Sequence, residues 1–245
     1  MARGGFRARA AVMGVCGVAV LGFAGASAQA ATVGVDCVKP VNLFGTDQDL
    51  SSCNLNGVTI SADSALAESN LTGAKLNDAT ISGFEGVRSS TLTGASLNRV
   101  TISGWEALSF SNLTGAKLTE ATLSGTRALE ESYLSGASLN RATISGEEAL
   151  SRSTLTGAKL NEATISGTNE GFSSNLTGAS LKGATISGEG ALSELSNLTG
   201  ATLKGAKITP GIGVLAEAIY SNTICPDGTN SDNDGGTCVG HGVQP

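Results

Sequence analysis

Residues 70–83 read NLTGAKLNDATISG, and near-copies follow at 91–104, 112–125 and 133–146. Leu71, Leu76 and Ile81 lie five residues apart, Val87 comes six later, and five more reach Leu92, where the cycle restarts. The count continues through Leu97, Ile102 and Leu108, then Leu113, Leu118, Leu123 and Leu129, then Leu134, Leu139, Ile144 and Leu150. It reaches upstream to Leu50, Leu55, Ile60 and Leu66. Downstream, past one extra residue near Leu195, it reaches Leu198, Leu203 and Ile208. From Leu71 to Leu92 the period is 21 residues, and a fixed period of that size is the mark of a stacked-repeat architecture. Five fits neither the 3.6 of a helix nor the 2.0 of one long strand. It fits a chain that runs briefly, turns a corner, and does so four times per revolution.

Each revolution then buries its apolar residues only against the coils above and below. Alanines two positions before the central residue, such as Ala74, Ala79, Ala95 and Ala116, suit a narrow square tube that takes one large and one small inward residue per side. The low aromatic content of 4% agrees. Units such as ASLNRA, AKLNEA and ASLKGA resemble the five-residue unit of pentapeptide repeat proteins. That resemblance covers roughly residues 50–209 and implies an all-β, right-handed quadrilateral β-helix (a solenoid) of about 7–8 coils. A leucine-rich repeat has a period in this range, but its tight Leu-x-x-Leu-x-Leu spacing is absent.

One side of each coil has six residues, and there Glu85, Glu106, Arg127 and Glu148 fall where a side chain should point inward. A buried stack of charges is costly. The expectation is a bulge that turns them outward and lets Gly86, Ala107, Ala128 and Ala149 face the core. On the second side Lys75, Ser96, Lys117, Ser138, Lys159 and Ser180 alternate, and Asp78, Arg99, Glu120, Arg141 and Glu162 alternate in sign. Coils about 4.8 Å apart would turn the second column into a ladder of exposed ion pairs that sets register more than stability.

The ends read differently. MARGGFRARA, the apolar run to about Ala24 and Ala28-Gln29-Ala30 form a secretory signal peptide, residues 1–30. The expected location is secreted or periplasmic. Removing Arg3, Arg7 and Arg9 leaves 12 basic against 21 acidic residues, a net charge of −9 that disfavours a basic nucleic-acid surface. No later stretch is long and apolar enough to span a membrane. Cys37, Cys53, Cys225 and Cys238 remain, an even count in an exported chain. Their placement favours Cys37–Cys53 and Cys225–Cys238, one pair at each end. Residues 31–49 then form an N-terminal cap and residues 210–245 a C-terminal cap and disulfide tail. That tail resembles the CPDGTNS…GGTC endings of exported pentapeptide repeat proteins.

Little in the chain suggests chemistry. His241 is the one histidine, and no metal-ligand spacing or phosphate-cradling loop is present. A regular column on a convex tube makes no cleft for acid–base work, so no enzyme and no cofactor are expected. Asn230, Asp232 and Asp234 resemble the first half of a calcium loop, but His241 stands where the bidentate Glu belongs. The plainer reading is a polar turn closed by a disulfide. The Asn-Leu-Thr sequons at Asn70, Asn112, Asn175 and Asn197 follow from the repeat.

The sharpest candidate lies on the third side. Thr59, Ser61, Thr80, Ser82, Thr101, Ser103, Thr122, Ser124, Thr143, Ser145, Thr164, Ser166, Thr185 and Ser187 flank the inward Ile or Leu of seven successive coils. Alternation puts both hydroxyl residues outside, in two parallel rows. This is similar to the Thr-x-Thr arrays of β-solenoid ice-binding proteins, and implies contact with ice or another crystalline surface. Ser or Thr after the central residue is ordinary in the repeat; the unbroken Thr before it is not. Some acidic members of the family mimic DNA and inhibit gyrase, but a signal peptide would remove this chain from that target. The sequence therefore points to an exported, non-enzymatic structural or surface-interaction protein. Its contact is a protein, a surface or ice, and its oligomeric state is open.

Overall fold

A computed structural model describes residues 46–168, 173–189, 191–192, 195–209, 215 and 217–244. The expected signal peptide, most of the N-terminal cap and Cys37 lie outside them. Eight short strands run from β1 (Thr59–Ile60), β2 (Thr80–Ile81), β3 (Thr101–Ile102) and β4 (Thr122–Leu123) to β5 (Thr143–Ile144), β6 (Thr164–Ser166), β7 (Thr185–Ser187) and β8 (Lys207–Ile208). They form one sheet in the order β1-β2-β3-β4-β5-β6-β7-β8. Each pairs in parallel with the strand one coil on, Thr59 opposite Thr80 and Ile60 opposite Ile81. The strands are short because a corner interrupts the chain every five or six residues.

Three more walls complete each coil. Wall 1, centred on Leu71, is held by parallel bridges from Asp49–Asn70 to Asn197–Ile219, and wall 2, centred on Leu76, by bridges from Asn54–Lys75 to Thr202–Ile224. Wall 3 is the sheet itself. Wall 4, centred on Val87, is tied by bonds such as Val87 N–H to the Ala107 carbonyl at 2.8 Å. Leu71, Leu76, Ile81 and Val87 are fully buried, as are Ala74 and Ala79 to within 1%.

The corners need left-handed backbone. One column meets this with glycine, as at Gly94 (φ +65°). The others use mostly residues with side chains, such as Asp78 (φ 59°), Glu85 (φ 51°) and Ser89 (φ 55°). Such a residue costs on the order of 1 kcal/mol and persists only where its surroundings over-determine it. Here backbone bonds to the next coil do so, Glu85 N–H to Trp105 O at 2.9 Å and Ser89 N–H to Ser109 O at 2.9 Å.

The six-residue side largely follows expectation. Glu85, Glu106, Arg127 and Glu148 all take the left-handed conformation, while Gly86 and Ala107, Ala128 and Ala149 are buried. The outward turn is incomplete at Glu106, which keeps only 9% of its surface exposed. Its carboxylate lies 3.3 Å from Arg88 Nε. Glu130 is more deeply placed still, its side chain 4% exposed between Arg127 and Arg152. On wall 2 the alternating column resolves into separate pairs, Arg99 Nε to Asp78 at 2.7 Å and Arg141 Nη2 to Glu120 at 2.7 Å.

A serine row runs inside the tube at the corner between walls 4 and 1: Ser69, Ser90, Ser111, Ser132, Ser153, Ser174 and Ser196 are all buried. Each is the small inward residue two places before the wall 1 leucine, so the row is the polar counterpart of the alanine columns. Ser111 shows why a hydroxyl is tolerated. Its Oγ donates to the Val87 carbonyl at 2.9 Å and accepts the Ser90 N–H at 3.1 Å, so the corner's backbone groups find partners within the protein.

The winding continues beyond Thr209. Tyr220 and Cys225 are the buried central residues of a further wall 1 and wall 2, and Leu203 N–H donates to Ile224 O at 2.7 Å. Cys225–Cys238 is formed, with Cα atoms 5.4 Å apart. An antiparallel bridge, Ile224–Asn230, folds the tail back over the last coil. The end of wall 2 is thereby covered, as an exposed strand row requires. Cys53 is also disulfide-bonded; its expected partner, Cys37, lies outside the described residues.

Candidate functional site

Wall 3 is built by the in-register stacking of one three-residue step. The central residue of β1 to β7 points in, and its neighbours point out. The threonines are exposed at 59, 101, 122 and 143 and half-buried at 80, 164 and 185. The serines are exposed from Ser61 to Ser124 and half-buried at Ser145, Ser166 and Ser187. Rows of Thr and Ser therefore climb the tube at the strand spacing, about 4.8 Å per coil. In the eighth rung Lys207 stands opposite Thr185 and ends the threonine row. No side chain interrupts the wall at the corner after the serines, because that position is Gly83, Gly104 and Gly125 in successive coils. A Cβ at Gly104 would sit 2.1 Å from the Gly83 carbonyl oxygen.

The other walls differ in charge. Wall 2 carries Lys75, Arg99, Lys117, Arg141, Lys159, Lys182 and Lys204 against Asp78, Glu120 and Glu162, a net charge of +4. Between residues 63 and 189, the described residues of wall 4 and its corners carry Asp63, Glu68, Glu85, Glu106, Glu130, Glu131, Glu147, Glu148 and Glu189 against Arg88, Arg127 and Arg152, a net charge of −6. Wall 4 also gathers exposed aromatics. Phe84 and Trp105 stack with ring centroids 4.7 Å apart, and Arg88 lies 4.7 Å over the Phe110 ring. Tyr133, 57% exposed, helps to line an open depression of about 500 Å³ with Phe110, Glu131, Arg152 and Thr154. Sequence reasoning passed over this cluster, although Phe84 and Trp105 stand one period apart.

The tail places the three calcium candidates on separate duties. Asn230 Oδ1 accepts the Asp232 N–H at 3.0 Å and caps a short 3-10 helix (Ser231–Asn233). Asp232 Oδ1 accepts the Asn222 N–H at 2.7 Å, and Asp234 lies 3.7 Å from His241 Nε2. Each of the three side chains is thus engaged by other groups of the tail. Among the described residues no three His, Cys, Asp or Glu side chains converge on a point that could hold a metal. The sequon asparagines are likewise occupied in turns: Asn112 Oδ1 accepts the Thr114 N–H at 3.0 Å.

His241 meets Asp227 at 2.9 Å. The backbone and hydroxyl of Thr229, and then His241, hold the Asp227 carboxyl down to about 2. The bond to Asp227 raises the imidazole above its ordinary value of 6.5. The histidine's contribution is present below about pH 6.5 and is lost as pH rises through the raised value. The aspartate's contribution is present above about pH 4 and is lost as pH falls towards 2. The tail should therefore be held tightest between those limits. Histidine NMR titration should give a midpoint above 6.5 in the wild type, and Asp227→Asn should lower it.

A family model described as pentapeptide repeats matches residues 108–146 in eight copies. No curated protein matches the chain. Among solved structures, HetL, a pentapeptide repeat protein involved in heterocyst differentiation regulation from the cyanobacterium Nostoc, is 25% identical. The match covers 77% of this chain and 90% of HetL, with a TM-score of 0.31. A trypsin-treated form of QnrB1, a plasmid-mediated fluoroquinolone resistance protein, is 12% identical over 67% of this chain and 82% of that one, with a TM-score of 0.32. A pentapeptide repeat protein from the Arabidopsis thaliana thylakoid lumen is 22% identical over 48% and 64%, with a TM-score of 0.18. None superposes closely enough to carry an argument about activity. No helix among the described residues is long and apolar enough to cross a membrane.

Proposed function

Because this chain is a pentapeptide-repeat protein, a rigid tube of stacked four-sided coils, we propose that it is an exported, non-enzymatic surface-interaction protein whose working face is wall 3. The observation that carries this reading is register. Thr59 to Thr185 are paired one to the next without a slip through seven strands, which supports contact with a surface that is itself periodic. Ice or another crystalline lattice is the partner such a face fits. Export rests on the N-terminal pattern, and fractionation of culture medium and periplasm tests it. A DNA-mimic role fits less well, since Arg88, Arg127 and Arg152 break the acidic wall into short segments.

Ice-recrystallisation inhibition and thermal hysteresis of the purified chain test the face itself. Wild type should be active, and Thr101→Lys with Thr143→Lys should abolish the activity without changing the circular dichroism. An inactive wild type rules out ice as the partner.

A further inference from the structure

Walls 2 and 4 are opposite flanks of one square tube, and their charges are opposite. On wall 2, Arg99 and Arg141 are consumed within the wall by Asp78 and Glu120. Lys75, Lys117 and Lys159 remain as an exposed row. Among the described residues none of the three takes part in an ion pair. They stand two coils apart, about 9.6 Å at the strand spacing. Wall 4 offers what an ammonium group seeks. Phe84 and Trp105 are each about two-fifths exposed, and aromatic rings attract cations. Glu68 and Glu147 are exposed at the two corners of the same wall.

We infer that copies of this chain associate side by side, with the Lys75–Lys117–Lys159 row of one tube seated on the aromatic and acidic wall 4 of the next. Both walls belong to one coil repeat, so their spacings are commensurate, and a sideways translation with a shift of one coil sets Lys75, Lys117 and Lys159 opposite the coils that carry Glu68, Trp105 and Glu147 in turn. The contact uses two different surfaces. A pair therefore leaves a free wall 2 and a free wall 4, and the assembly grows as an open row. The inference is independent of any activity of wall 3.

Salt separates this association from simple charge effects. At about 0.01 M salt the screening length is about 30 Å and the net negative charge of each tube opposes approach; at about 0.1 M it is about 10 Å, and only the facing walls are felt. At about 1 M it is about 3 Å, and the contact itself is screened. Sedimentation velocity should show concentration-dependent association that peaks near 0.1 M and vanishes near 1 M. Trp105 is the chain's only tryptophan, so its emission should shift in step.

The triple variant K75E/K117E/K159E should be monomeric at every salt concentration, and so should E68K/E147K. Mixed together, the two should associate again, because each supplies the charge the other now needs. A monomeric wild type at about 0.1 M overturns the inference. Undiminished association of the triple variant, or a failure of the two variants to associate on mixing while both retain the wild-type circular dichroism, overturns it equally.

Discussion

Gly104→Ala should lose most of the chain's cooperative unfolding transition, at a cost of about 4 kcal/mol or more, in the range reserved for changes a core cannot absorb. The added Cβ would stand 2.1 Å from the Gly83 carbonyl oxygen and 3.0 Å from its carbonyl carbon. Both are backbone atoms, so no rotamer relieves the clash, and separating the coils would strain the bonds between β2 and β3. Gly94→Ala is the control. Nothing lies within 4 Å of its added Cβ, so only the left-handed backbone is penalised, at about 1 kcal/mol. Urea denaturation of the two variants should separate them by several kcal/mol; equal losses would show that the corner, and not the close approach of coils, sets the glycine requirement.

The second large effect is expected at Leu118→Ala. Leu97, Leu118 and Leu139 succeed one another up wall 2, all fully buried. The backbone around them is pinned, with Leu97 N–H on Lys117 O and Leu118 N–H on Ser138 O, both at 2.7 Å. A wall fixed in this way cannot collapse into the void, so the loss should lie in the upper part of the 2.7–5.0 kcal/mol range known for such truncations. In a quasi-one-dimensional stack the gap also weakens coupling between the halves. The unfolding transition should broaden as well as shift. Leu50→Ala, in the first described coil, should cost less and leave the transition sharp, because Leu50 is already 7% exposed.

The large residues of the tube were legible in the sequence because hydrophobicity marks them. Leu71, Leu76, Ile81 and Val87 set the frame, and the alternation of Thr80, Ile81 and Ser82 placed wall 3. The serine row was not legible for the opposite reason. Ser111 is a polar residue in a position where polarity normally signals the surface, and its burial depends on the Val87 carbonyl 24 residues away. The asparagines of wall 2 are similar. Asn98 N–H and Nδ2 both donate to Asn77 Oδ1 at 3.0 Å, a ladder that reads in sequence as mere polar filler. Glu130 was missed because its carboxylate is satisfied by arginines on its own and a neighbouring coil. Each missed feature is a contact between coils, and a one-dimensional pattern does not show which polar side chain finds its partner a revolution away.

The single continuous winding also governs how the molecule would answer a pull on its two ends. A coil gives up only about 4.8 Å of tube height when it peels away, yet its 21 residues extend to roughly 70 Å of chain. Force would therefore be met by a series of nearly equal ruptures, each lengthening the chain by far more than the tube shortens. The Cys225–Cys238 bond, closing a separation of 13 residues, would withhold its share of that length until it was reduced. Such a tube behaves as a ratcheted spool, which yields in fixed increments.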